Sequence, residues 1–201
     1  MSLRRRVVLC TYPSVYSEVV LHELLKAPDI ELVAVLSSTR VLNKSDSRLR
    51  ASIRQIKLSG IRYAAYLFAI TSLYTGLRWL FHKPSFKQQL AARHIICLET
   101  ADINSTEGIA FLNNLQPDVL LSAHFNQLIK PEVLNLPSLA CLNIHPSLLP
   151  AFKGVDPSFY ALLRQARETG ATVHLQNEQF DQGAILEQSK LRVRPADTLF
   201  S

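Results

Sequence analysis

Short apolar runs recur along the chain at 7–10 (VVLC), 32–36 (LVAVL), 94–98 (HIICL), 119–123 (VLLSA) and 140–144 (ACLNI). Aliphatic runs of this length are typical of parallel strands buried on both faces. Between the first two, residues 17–26 place Val19, Val20, Leu24 and Leu25 at helical spacing, so the chain opens with a strand–helix–strand unit. Further helices are predicted over 105–115, 131–136 and 158–168, and later strands over 172–176 and 184–194. This alternation predicts an α/β fold built on a mainly parallel sheet with crossover helices. Ligands of such sheets lie outside the carboxyl ends of the strands. Chemistry is therefore expected in the loops after Cys10, Leu121, Ile144 and Gln176.

The stretch 41–90 breaks the rhythm, being far longer than an ordinary connection of ~2–6 residues. Within it, residues 63–77 (YAAYLFAITSLYTGL) carry no charge over fifteen positions, between Arg62 and Arg78. A spanning helix needs ~20 apolar residues, so this one is short for a membrane. Tyr63, Tyr66, Tyr74, Trp79 and Phe81 lie mostly towards its ends, as at a membrane surface or a protein interface. A helical insertion packed on the chain's own core, a dimer or partner interface through 50–82, and reversible membrane-surface contact all fit this pattern. Charge sharpens the picture. The formal net charge of +6 lies wholly in residues 40–62, where Arg40, Lys44, Arg48, Arg50, Arg54, Lys57 and Arg62 face only Asp46. Such a block is a footprint for an anionic partner or a solvated helix face.

Composition limits the remaining options. At 201 residues, 48% hydrophobic and 19% charged, residues 1–201 read as one domain with a real core and not as a disordered chain. Cys10, Cys97 and Cys141 are odd in number and far apart, which suits neither a disulfide framework nor a cysteine zinc site. The amino-terminal apolar run is too short for a secretory signal, so a cytoplasmic location is expected. The first loop, TYPSVY, holds no glycine, and none occurs before Gly60. A dinucleotide or P-loop site requires glycines there, so neither NAD nor FAD is expected.

The segment Asn143-Ile144-His145-Pro146-Ser147-Leu148-Leu149-Pro150 leaves a predicted strand and turns sharply. Asn143 and His145, two residues apart, share one strand face. An imidazole exchanges protons near neutral pH, and an amide stabilises a carbonyl oxygen that becomes an oxyanion. A histidine at a strand end also fills purely structural roles. Further on, Thr172-Val173-His174 precedes Glu178, Asp181 and Gly183, so a second strand end brings the Asp181 carboxylate to the same edge. His145, His174 and Asp181 are capable metal ligands, yet their spacing matches no zinc motif and no metal is expected.

NIHPSLLPAFKG followed by TGATVHLQNEQFDQGAILEQ resembles the folate-dependent formyltransferase family, which includes glycinamide ribonucleotide, methionyl-tRNA and sugar N-formyltransferases and formyltetrahydrofolate deformylase. The resemblance spans about 94–197 and, more weakly, 4–38. It implies a Rossmann-like sheet with helices on both faces, and 10-formyltetrahydrofolate as formyl donor. It also implies Asn143, His145 and Asp181 as the catalytic triplet, acting through a tetrahedral intermediate, with His174 supporting. Asn126, Gln127, Leu128 and Ile129 fall where the family lines its pteridine pocket. Asn143 and Glu178 join them as donor contacts, and residues 176–180 form the loop closing over the pterin. Departures are plain. TYPSVY replaces the glycine-rich phosphate loop of the glycinamide branch, while HPSLLP and KGVDP differ from the tRNA enzymes. The family continues past Thr198, so carboxyl-terminal elements are expected to be missing.

The expected function is formyl transfer from 10-formyltetrahydrofolate to an amine on methionyl-tRNA, glycinamide ribonucleotide or an amino sugar. The alternatives are hydrolysis of the same donor, or a non-catalytic module that docks to a membrane or partner.

Overall fold

The computed structural model describes residues 4–40, 84–154 and 156–198, together with Ile61 and Ala65. Most of the basic block and of the apolar stretch at 63–77 lies outside the described residues. In chain order the described elements are β1 (Arg5–Thr11), α1 (Val15–Lys26), β2 (Ile30–Ser38), α2 (Phe86–Ala91), β3 (Ile96–Thr100), α3 (Thr106–Leu115), β4 (Val119–Ala123), α4 (Pro131–Leu134), β5 (Ala140–His145), α5 (Pro157–Leu163), β6 (Glu168–Leu175) and β7 (Ile185–Arg192).

The strands form one sheet in the order β3-β2-β1-β4-β5-β6-β7. Its first five strands pair in parallel, while β6 and β7 are antiparallel additions at one edge. Alternation along the strands divides the core between the two faces. Val8, Cys10, Ala34, Leu36, Leu120 and Cys141 pack with Leu112 of α3 and Val133 of α4. Val7, Leu9, Val35, Leu121 and Ala123 pack with Leu21 and Leu24 of α1 and Phe86 and Leu90 of α2. Helices thus cover both faces, as the Rossmann-like expectation required. Both α1 and α2 open with a capping box: Ser14 with Ser17, and Ser85 with Gln88. No described helix is long and apolar enough to cross a membrane.

Two boundaries and one strand direction depart from the sequence reading in ways that bear on the site. β3 starts at Ile96, not residue 94, because His94 adopts a left-handed φ of 55° and its N–H closes the turn onto the Ala91 carbonyl. α5 ends at Leu163, not residue 168. Gln165 is left-handed at φ 51°, and β6 begins at Glu168 because pairing with Arg192 across β7 prevails over local helical spacing. The third concerns direction. β6 runs against β5, so its carboxyl end does not point to the edge where the parallel strands end. Asp181 reaches that edge through the loop that returns from β6 to β7.

All three thiols are free. Burial pushes the Cys141 thiol up to about 12, and burial, with Cys141 nearby, pushes Cys10 well above its ordinary value. At pH 8, Ellman's reagent should therefore leave Cys10 and Cys141 untouched in the folded protein and titrate all three in guanidinium. Native-state reaction of either within minutes would contradict this packing.

Candidate active site

Alternation along β5 puts Asn143 and His145 on the same face as Cys141, at the carboxyl end of the parallel strands. Antiparallel register then sets Asn143 opposite His174 and His145 opposite Thr172. A register shift between Val173 and His174 on the β7 side marks a local irregularity beside this pair, as bulges often do near functional sites.

The polar side chains meet around one oxygen. Asp181 Oδ1 lies 3.4 Å from His145 Nδ1, 3.4 Å from Asn143 Nδ2 and 3.7 Å from His174 Nε2. Asp181 Oδ2 accepts the Gly154 N–H at 2.7 Å. The side chains of His145, Asp181 and His174 are only 6%, 8% and 3% exposed, so these contacts are largely shielded from water. His145 Nε2 is 2.9 Å from the Phe152 carbonyl. Both its ring nitrogens thus face acceptors, and a protonated ring donates through both.

His174 is constrained differently. Its Nδ1 is 2.8 Å from the Leu175 carbonyl, which only accepts, so Nδ1 carries the proton. In the neutral ring Nε2 is then an acceptor, and it takes the Asn143 Nδ2–H at 3.0 Å. That bond fixes which end of the Asn143 amide faces the Asp181 carboxylate. Gly183 belongs to the same construction, since a Cβ there would overlap the Leu175 carbonyl.

The turn after β5 rests on Thr172, which is fully buried. Its hydroxyl donates to the Ser147 carbonyl at 2.6 Å and accepts from Leu149 N–H at 3.1 Å and from Gln188 Nε2 at 2.9 Å. His124, Phe152, Asp156 and Asp181 all adopt left-handed φ in the loops here, a conformation that costs free energy outside glycine. Sequence reasoning missed Thr172, Gly154 and the Phe152 carbonyl. Only the KG in PAFKG hinted at the second, and backbone groups leave no mark in a sequence.

The residues expected against the pterin are placed unevenly. Gln127 is 3% exposed, and its side chain accepts from Ile103 N–H and donates to Ser38 Oγ and the Thr100 carbonyl. Asn126 accepts from Ser38 Oγ at 2.6 Å and donates to the Arg40 carbonyl at 2.9 Å. Ile129 lies in the core, while Leu128 is 36% exposed with its carbonyl taken by Asn104 Nδ2. The Asn126, Gln127 and Ile129 side chains hold the loop together, and Leu128 is its exposed side chain. Glu178 is exposed on the β6–β7 loop. No group of three or more His, Cys, Asp or Glu among the described residues has metal-binding geometry. A cavity of about 450 Å³ lined by Arg4, His22, Glu31 and Arg93 lies at the opposite, amino-terminal edge and touches none of this chemistry.

The sequence model of the formyl transferase family matches residues 47–201. The chain belongs to that family. Among curated formyltransferases, it is 40% identical over 102 residues to GDP-perosamine N-formyltransferase of Brucella melitensis biotype 1, covering 51% of this chain and 39% of the relative. It is 36% identical over 102 residues to methionyl-tRNA formyltransferase of Thermotoga neapolitana, covering 51% and 33%. The chain thus spans well under half the length of these relatives. In fold it is similar to phosphoribosylglycinamide formyltransferase from Bacillus halodurans, with a TM-score of 0.64 at 19% identity over 98% of this chain and 84% of that one. Formyltetrahydrofolate deformylase from Pseudomonas syringae gives 0.61 at 21% identity over 98% and 54%.

Thr172→Val keeps the shape but strands the Ser147 carbonyl and Leu149 N–H in a buried turn. Urea unfolding should show a loss of about 1–3 kcal/mol at unchanged m-value. A loss below half a unit would mean the hydroxyl does not hold the turn.

Proposed function

We propose that this chain transfers a formyl group from 10-formyltetrahydrofolate to an amine, using Asn143, His145 and Asp181. The supporting observation is the convergence of the amide, the imidazole and the carboxylate on Asp181 Oδ1. Membership of the formyl transferase family supports the reaction type, and the relatives named as formyltransferases for perosamine and methionyl-tRNA support an amine acceptor.

The 127–129 loop supports the donor reading through Leu128, an exposed aliphatic side chain of the kind that lines sites for a flat heterocycle. When bound, the donor supplies the formyl carbon and leaves as tetrahydrofolate. The acceptor's unprotonated amine forms the new C–N bond, the bond from the formyl carbon to N10 breaks, and the proton shed by the amine ends on N10. One N–H of Asn143 is held by His174. The other makes only the long 3.4 Å contact to Asp181, which a formyl oxygen replaces as negative charge grows on it. His145 adds charge stabilisation and carries protons, held against Asp181. Preorganised donors in a shielded site lower the barrier without reorganising during the reaction.

His145→Ala should slow acceptor-dependent tetrahydrofolate release by about 10²–10⁴-fold with the circular dichroism spectrum retained. Turnover at the parent rate excludes the assignment, and release at an equal rate in water alone makes the protein a hydrolase. His174→Phe removes the acceptor that orients Asn143, so kcat should fall about 10–100-fold with little change in the folate KM. His174→Gln, which returns an acceptor near the Nε2 position, should recover most of that loss.

A further inference from the structure

The loop after β4, which carries the residues expected against the pterin, is tied to the loop after β3. In the sheet, β2 and β1 stand between those two strands, so at the usual interstrand spacing their ends lie roughly 14 Å apart. Two amide side chains close that gap from opposite directions. Gln127 Oε1 accepts the Ile103 N–H at 2.7 Å, and Gln127 Nε2 donates to the Thr100 carbonyl at 3.2 Å. In return, Asn104 Nδ2 donates to the Leu128 carbonyl at 2.9 Å, and Asn104 Oδ1 accepts the Lys130 N–H at 2.8 Å. Asn104 therefore holds the peptide groups on both sides of Ile129. One of them is the peptide that follows the exposed Leu128.

The segment that presents Asn104 is itself fixed. Ile103 is fully buried in the core. Thr100 Oγ1 accepts the Asp102 N–H at 3.1 Å, and Asp102 Oδ1 accepts both the Asn104 N–H at 3.0 Å and Asn104 Nδ2 at 3.1 Å. These partners set the amide one way round. Its nitrogen meets two acceptors, the Asp102 carboxylate and the Leu128 carbonyl, while its oxygen meets a donor. Both amide hydrogens are used within the protein, so Asn104 acts on a ligand through the main chain it holds.

We infer that Asn104 is a positioning residue for the folate donor: it pre-sets the Leu128 segment on which the pterin packs, and so governs donor affinity. The inference rests on the formyl-transfer reading and adds to it a residue from a separate loop. A binding segment ordered in advance raises affinity, because the ligand no longer bears the cost of ordering it. Without the Asn104 amide, the Leu128 carbonyl and the Lys130 N–H turn to water, and the donor must order the segment as it binds. Asn143, His145 and Asp181 are placed by bonds to His174, Phe152 and Gly154, which do not involve Asn104.

Calorimetric titration of the full chain with tetrahydrofolate tests this. The parent should bind, and Asn104→Ala should weaken binding about tenfold. Asn104→Asp keeps the shape but sets an oxygen against the Leu128 carbonyl, so it should bind no better than Asn104→Ala. Ser105→Ala is the control for general loosening. It removes the α3 cap that accepts the Gly108 N–H at 3.2 Å and destabilises the same region, yet should bind within about twofold of the parent. Hydrogen exchange adds a signature that plain destabilisation does not give. Amides 128–130 should exchange faster in free Asn104→Ala, and saturating tetrahydrofolate should slow them by a larger factor than in the parent. Binding by Asn104→Ala within about twofold of the parent, equal weakening in Ser105→Ala, or unchanged exchange at 128–130 overturns the inference and leaves the formyl-transfer reading standing. A parent chain that does not bind tetrahydrofolate overturns the donor reading, and the inference with it.

Discussion

The buried carboxylate of Asp181 closes two stretches of chain that the sheet alone would leave apart. One oxygen holds the Gly154 N–H in the turn after β5, and the other lies against His145 and Asn143 on β5 itself. A carboxylate at 8% exposure is costly unless hydrogen-bonded. The site therefore exists only when both loops are in place. Much of the surrounding geometry serves that closure. Gly154, at φ 87°, takes a backbone conformation that side chains resist, and Gly183 lets the returning loop press on β6. Thr172 ties the same turn to the sheet from below.

His174 adds a second level of control. Its tautomer is set by a backbone carbonyl, and the tautomer in turn sets the direction of the Asn143 amide. Information thus passes from a main-chain group, through an imidazole, to the atom that would face the substrate. Because all these groups sit on paired strands, their relative placement is rigid to the extent that β5 and β6 are.

β1, β2, β4 and β5 were legible in the sequence because each is buried on both faces and so reads as an unbroken aliphatic run. α5 was legible in place but not in length, since what ends it is the pairing of Glu168 with Arg192, twenty-four positions along the chain. The spacing of Asn143, His145 and Asp181 was also visible, whereas the route of Asp181 to its partners was not: it follows from the reversed direction of β6. Gln127 is the clearest gap. Its position in the loop could be anticipated, but its buried bonds to Ser38 and Ile103 join elements far apart in sequence, which no local pattern encodes. The ring contacts of Tyr12 and Tyr16 with His124 are equally non-local, joining residues 112 and 108 positions apart.

Arg40 is clipped on both sides. Its N–H donates to Ser38 Oγ at 3.2 Å, and its carbonyl accepts from Asn126 Nδ2 at 2.9 Å. The exit of the main chain from β2 is thereby anchored to the loop after β4, before the long stretch that follows. A moored departure point of this kind makes one amide do two jobs: Asn126 grips Ser38 at the end of β2 with its oxygen and the outgoing main chain at Arg40 with its nitrogen, so the spacing between two strand ends is set by the length of a single side chain.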